Sequence, residues 1–177
     1  MDEMGEMGAP ASAPPESADW NAADAAYLSM MVAHHSQAID MAELVPGRAA
    51  DPQVRSLAET IDVGQGREVI VMATWLVEHG LPEPTPESVA AMTAMGSTAM
   101  PGMLDETDLA DLAAAEGSAF DRLFLESMAR HHEGALLMAQ DVLDEGEDVR
   151  VGEMAADVVA GQGAEIDRMR DLLDVLP

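Results

Sequence analysis

The sequence predicts an all-α protein, a four-helix bundle made of two repeated helical hairpins joined by a long crossover connector. Three observations carry this. Alanine, leucine, valine and methionine dominate and aromatic residues make up only 3% of the chain, a composition that favours helices over sheets. Start and stop signals divide the chain into four long helical segments. The chain also repeats itself: shifted by about 97 residues, it aligns without a gap from about Ala22 to Leu76. DAAYLSMMVAHHSQAIDMA then lies on DRLFLESMARHHEGALLMA, and VGQGREVIVM on AGQGAEIDRM.

Residues 1–19, rich in small residues, proline and acid, read as a flexible N-terminal tether left after removal of a leader. The first hairpin occupies 20–80. Its first helix is expected from about Asn21 to Val45, stopped by Pro46-Gly47. Asp51-Pro52 supplies a cap and a first-turn proline for the second, which runs to about His79 with Gly80 as its stop. The connector, 81–117, opens with LPEPTPES, expected to be extended, and Thr107 is placed to cap a short helix, DLADLAAAE. The second hairpin, 118–177, holds a third helix from about Ser118 to Asp144 and a fourth from Asp148 to Leu176. Helices of about 25 to 30 residues are roughly 40 Å long, and a long crossover between two hairpins is a known bundle topology.

Charge and composition remove several function classes. The chain carries 34 acidic and 8 basic residues, for a net charge of −26. All the basic residues are arginine. So acidic a surface repels nucleic acid and anionic lipid; as such it is a solvated surface and names no partner. No apolar run is long enough for a transmembrane segment. Cysteine is absent, which excludes disulfides, zinc-thiolate sites and cysteine nucleophiles. Any soft-metal site must use methionine sulfur, and methionine is frequent, at 15 residues.

The repeat shows which face both copies keep. On a helical wheel, Asp24, Leu28, Met31, His34, His35, Ala38, Met41, Ala42 and Val45 share one stripe about 140° wide, so these residues are expected to face inward. Unrepeated Ser29, Ser36 and Glu43 lie outside it. In the second helix Val54, Ala58, Gln65, Glu68, Met72 and Leu76 form a stripe whose counterparts are Val151, Ala155, Gln162, Glu165, Met169 and Leu173. A buried glutamate without a partner costs several kcal/mol, so Glu68 and Glu165 call for a histidine, an arginine or a metal across the bundle. Gly64 and Gly66 recur as Gly161 and Gly163, which implies a close helix approach or a kink at that level.

The chemistry sits in Met31, His34, His35 and Met41 and their twins Met128, His131, His132 and Met138. Spacings of three and four let Met31 reach either histidine. Adjacent histidines point about 100° apart, so one of each pair can ligate while its neighbour supports. Imidazole and thioether together suit copper(I) or silver(I); hard ions prefer oxygen. Met72 and Met169 stand near as further sulfur donors, and Asp24, Asp121, Gln65, Gln162, Glu68 and Glu165 are expected to orient the histidines. The chain has no Glu-x-x-His pair for a di-iron site and no His-Glu-x-x-His. The plainer alternatives are a structural polar layer for the histidines, core filling for the methionines, capping for the two aspartates and a helix-end contact for His79. A second methionine signal lies at Met1, Met4 and Met7 and in the connector at Met92, Met95, Met100 and Met103. It reads equally as flexible soft-metal capture or as an apolar lid on the bundle end.

The pattern Asp-x-x-aromatic-Leu-x-x-Met-x-x-His-His-x-x-Ala-x-x-Met-Ala, carried by Asp24, Tyr27, Leu28, Met31, His34, His35, Ala38, Met41 and Ala42, resembles the family catalogued as domain of unknown function 305. It recurs at Asp121, Phe124, Leu125, Met128, His131, His132, Ala135, Met138 and Ala139. Gln65, Glu68, Val69 and Met72, with Gln162, Glu165, Ile166 and Met169, are similar to the family's following helix, and MPGML at 100–104 to its connector. The resemblance implies a ferritin-like four-helix fold and export to the periplasm, cell surface or medium. It also implies kinship with CopM-like proteins tied to copper binding and resistance. The first functional reading is therefore an exported, non-enzymatic soft-metal binder acting in buffering or resistance, with a metal ion and other envelope metal-handling proteins as partners. Two alternatives stand beside it: an envelope interaction module with a His/Met polar core, and an enzyme using a His-carboxylate pair with or without a metal.

Overall fold

A computed structural model describes residue 14 and residues 18–176. The tether with Met1, Met4 and Met7 falls outside the described residues. The described residues form seven helices, in order α1 (Ala22–Glu43), α2 (Pro52–Glu78), α3 (Pro86–Thr93), α4 (Gly96–Ala99), α5 (Glu106–Ala114), α6 (Gly117–Glu145) and α7 (Val149–Val175). The described residues hold no strand, only a bridge between Ala49 and Gly117.

The four long helices begin where their caps dictate. Asn21 accepts bonds from the Ala23 and Asp24 amides while Asp24 answers to the Asn21 amide, closing a capping box on α1. Asp51 caps α2, with Pro52 in its first turn, and Asp148 caps α7. α2 ends at Glu78 with His79 as its C-cap, and Gly80 turns the chain away at φ 73°. Two local expectations give way. The short connector helix is capped by Asp105 rather than Thr107: the chain turns helical two residues earlier, and the Asp105 carboxylate accepts the Asp108 amide at 2.8 Å. LPEPTPES is extended only through Thr85, because Thr85 and Ser88 form a second capping box and Pro86 opens α3.

Each hairpin packs on itself, α1 on α2 and α6 on α7, and the hairpins join chiefly through α1 and α6, less through α2 and α7. The core is divided lengthwise. One apolar cluster takes Tyr27, Leu28 and Met31 from α1, Met72 and Trp75 from α2, Met138 and Val142 from α6, and Val151 and Val158 from α7. The other takes Met41 and Val45, Leu57 and Ile61, Phe120, Phe124, Leu125 and Met128, and Met169 and Leu172. The start of α1 thus lies with the ends of α2 and α6 and the start of α7, so α1 and α6 run antiparallel. α2 ends at the first pole while α6 starts at the other, and the connector must traverse the bundle's length, as in ferritin-like folds.

The close approach expected at the paired glycines is absent. A Cβ at Gly64, Gly66, Gly161 or Gly163 would meet nothing within 4 Å, and α2 and α7 run through them unbroken. No close approach accounts for them.

Candidate metal centre

Between the two apolar clusters lies a polar layer supplied by all four long helices. His34, His35, His131 and His132 are fully buried, and Gln65 and Gln162 are 3% exposed. The stripe positions read from the repeat deliver this: α1 and α6 cross antiparallel, and each presents its histidine pair at the crossing. The His34 and His131 rings lie 3.8 Å apart between centroids at 39°.

The outer pair is held by carboxylates. His35 Nε2 meets Glu68 at 2.6 Å and His132 Nε2 meets Glu165 at 2.8 Å, each glutamate partly open to solvent. The buried-glutamate partner expected from the sequence is therefore histidine. A neutral imidazole whose Nε2–H donates to a carboxylate keeps its lone pair on Nδ1. The inner pair differs. His34 Nε2 donates to the Pro101 carbonyl at 2.9 Å, so its lone pair also sits on Nδ1. Among the described residues His131 has no hydrogen-bond partner at either nitrogen. The Nδ1 atoms of His34, His35 and His132 and both amide atoms of Gln65 and Gln162 are likewise buried without a protein partner. Each such atom costs about 1–3 kcal/mol unless something else satisfies it. A soft ion fits this donor chemistry. Among the described residues no three histidine, aspartate or glutamate side chains converge as a ready cage, so further donors would have to be sulfur.

Burial also sets protonation. It pushes the His34 imidazole down to about 4, with the nearby His35 and His132 lowering it further against the lift from the Pro101 carbonyl. His131 is lowered well below the ordinary value by burial and by its three histidine neighbours. Both are neutral at pH 7 and available as ligands. With folded pKa values below the unfolded 6.5, their contribution to stability is full above 6.5 and is lost as pH falls toward the folded values. For His34 alone this is about 3 kcal/mol by pH 4. Thermal midpoints of the metal-free protein from pH 7 to 4.5 are expected to fall more steeply for wild type than for His34→Gln/His131→Gln, and parallel profiles would refute the neutral burial.

The methionines regroup by pole. Met31, Met72 and Met138 share one cluster, Met41, Met128 and Met169 the other. Each helix-borne set is thus split across the polar layer, because α1 and α6 are antiparallel. Asp24 and Asp121 touch no histidine, which corrects their expected orienting role. Asp24 accepts the Glu147 and Asp148 amides at the start of α7, and Asp121 accepts the Ala50 and Asp51 amides at the start of α2. His79 donates to the Trp75 carbonyl and stacks on its indole.

The connector motif MPGML and two residues the sequence did not single out, Gln37 and Gly134, close the layer. The segment Met100 to Leu104 crosses it as a strap. Gln37 grips Leu104 twice, Nε2 to the carbonyl at 3.0 Å and Oε1 from the amide at 2.8 Å. At Gly134 a Cβ would overlap the Pro101 carbonyl, and at Gly102, φ 83°, it would meet the Arg130 and His131 carbonyls at 2.7 and 2.8 Å. Gln37 and Gly134 are counterparts in the repeat. The signal was there as a difference: two copies that agree along the stripe diverge at the position where the strap needs a clamp from one and space from the other.

The profile described as domain of unknown function (DUF305) matches residues 24–173. The chain belongs to the DUF305 family. Among solved structures it is similar to a DUF305 protein of Streptomyces coelicolor, presumed secreted, at 30% identity over 86% of this chain and 92% of that one, with a TM-score of 0.72. It is equally similar to CopM in a Cu(II)-bound form, at 31% identity over 85% of this chain and 95% of CopM, with a TM-score of 0.70; CopM is also known in Cu(I)- and Ag-bound forms. An uncharacterized protein, L153, of Acanthamoeba polyphaga mimivirus is 38% identical over 58 residues, so this DUF305 chain spans 38% of that relative's length. No helix of the described residues is long and apolar enough to cross a membrane.

Proposed function

We propose that this DUF305 protein is an exported, non-enzymatic binder of a soft monovalent ion, copper(I) or silver(I), acting in metal buffering or resistance and exchanging its ion with other envelope metal-handling proteins. The observation that carries the reading is the buried His34–His131 pair, neutral at pH 7, with open nitrogens and methionine on both sides of its layer. Such a donor set prefers copper(I) or silver(I) over hard ions. CopM, similar over most of both chains, is a protein with copper- and silver-bound forms, and the Streptomyces coelicolor relative is a presumed secreted protein; these support the metal class and the export. Glu68 and Glu165 would fix the tautomer of His35 and His132, as carboxylates behind metal-bound histidines do. The inner rings lie partly face to face, so joint ligation of one ion requires one of them to turn about its Cβ–Cγ bond.

The test is titration of purified protein with Cu(I) against a chromogenic competing chelator. Wild type is expected to withdraw copper from the chelator, and a variant with His34, His35, His131 and His132 all replaced by alanine to lose at least about 100-fold in affinity. Unchanged affinity in that variant would leave the histidines as a polar core and defeat the proposal.

A further inference from the structure

We infer that Met100 and Met103, on the strap, are the sulfur donors to the ion held by His34 and His131. The inference rests on the soft-metal reading above and names half of its ligand set.

Met100-Pro101-Gly102-Met103 is a β-turn. Pro101 occupies its second position and Gly102, at φ 83°, its third, and the Met103 amide closes on the Met100 carbonyl at 3.4 Å. This is the type II arrangement, which brings its first and last residues within about 7 Å of each other. The turn therefore brings the backbones of the two methionines together. Both side chains are buried, Met100 at 1% and Met103 at 5% exposure, in the apolar cluster that also takes Met31, Met72 and Met138.

The turn is fastened by its middle to the His34 ring and to the α6 backbone at His131. The Pro101 carbonyl, between the two methionines, takes the His34 Nε2–H at 2.9 Å. Gly102 lies so close to α6 that a Cβ would meet the His131 carbonyl at 2.8 Å and the His131 Cα at 3.0 Å. One tetrapeptide thus touches His34 by hydrogen bond and α6 at His131 by backbone packing; for His34 to ligate on the strap side, its Nε2 gives up the Pro101 carbonyl to the ion and the ring carries its proton on Nδ1. Two imidazole nitrogens and two thioethers make a donor set suited to copper(I) or silver(I), and a Met-x-x-Met turn needs no further residue to supply the second half. The strap has no counterpart in the internal repeat. It accordingly makes one asymmetric site from two symmetric histidine pairs, with His34 bonded through Nε2 and His131 open at both nitrogens.

The test uses Met100→Leu/Met103→Leu, which conserves volume in the core, against Met41→Leu/Met128→Leu in the opposite cluster. Cu(I) competition and X-ray absorption of the copper-loaded proteins are the readouts, with helical circular dichroism as the folding control. The strap variant is expected to stay folded, lose at least about 10-fold in Cu(I) affinity and show no copper–sulfur distance. Wild type and the opposite-cluster variant should show two sulfurs. Copper–sulfur scattering that survives in the strap variant, or is lost in the opposite-cluster one, overturns the assignment. If both pairs weaken binding, the sulfur count decides. Should wild type itself fail to take copper from the chelator, the soft-metal reading falls and this inference with it; a strap variant that binds like wild type while His34→Ala/His131→Ala does not removes the strap donors alone.

Discussion

Gly134→Ala is expected to destabilise the protein by about 3 kcal/mol, the upper end for overpacking a filled interior, and to lower its thermal midpoint by roughly 6–12 °C. On helix propensity the substitution should help, since alanine in a helix interior is favoured over glycine by about 1 kcal/mol. The new methyl group, however, would overlap the Pro101 carbonyl and lie 2.7 Å from the Gly102 amide nitrogen. Those are backbone atoms of a strap pinned by His34 and twice by Gln37, so they cannot swing aside as a flexible side chain would. Either α6 shifts away from α1, or the strap lifts and leaves the His34 Nε2–H and both Gln37 amide groups without partners. Gly64→Ala is the control: it makes the same chemical change in a long helix where nothing lies within 4 Å, and it should be neutral or stabilising. Thermal denaturation followed at a helical wavelength measures both. A Gly134→Ala protein as stable as Gly64→Ala would mean that the strap does not sit against α6.

Much of this was legible beforehand, for a physical reason. Helix ends are written locally, in caps and breakers such as Asn21, Asp51-Pro52, Gly80 and Asp148, and the inward stripe is written in the spacing of residues that both copies retain. That was enough to put His34, His35, His131 and His132 at zero exposure. It did not reveal what lies across the bundle from each residue, because that depends on helix direction. Met31 and Met41 share one stripe of the helical wheel, yet they belong to different clusters once α1 and α6 run antiparallel. The strap's placement was hidden for another reason: MPGML was recognisable as a motif, but a backbone carbonyl such as that of Pro101 carries no side-chain signature of what it touches. Gly64, Gly66, Gly161 and Gly163 misled because glycine marks both close contact and its absence, and only the open space around them distinguishes the two.

Asp24→Ala and Asp121→Ala are each expected to cost roughly 2–3 kcal/mol, the range for several charge-assisted bonds lost together. The aspartates fall on the inward stripe yet perform no work at the histidines. Asp24 lies in the first turn of α1 and accepts amides from Asn21, Glu147 and Asp148. It so binds the N-terminal ends of α1 and α7, where two helix dipoles favour a negative charge. Asp121, near the start of α6, accepts amides from Ala50 and Asp51 and does the same for α2. In both cases the first helix of one hairpin caps the second helix of the other, so each carboxylate locks the two hairpins together at one pole. Gly146 completes the first lock, since a Cβ there would overlap the Asp24 carboxylate. The locks sit at opposite ends of the bundle and share no partner. The double variant should therefore lose the sum of the single losses within about 0.5 kcal/mol, with Cu(I) affinity unchanged in whatever fraction remains folded. Urea denaturation of the four proteins measures the sum, and a double variant no less stable than either single one would show that the hairpins are joined elsewhere. Copper affinity lost in step with the single substitutions would instead place the aspartates in the metal site, where the geometry gives them no contact.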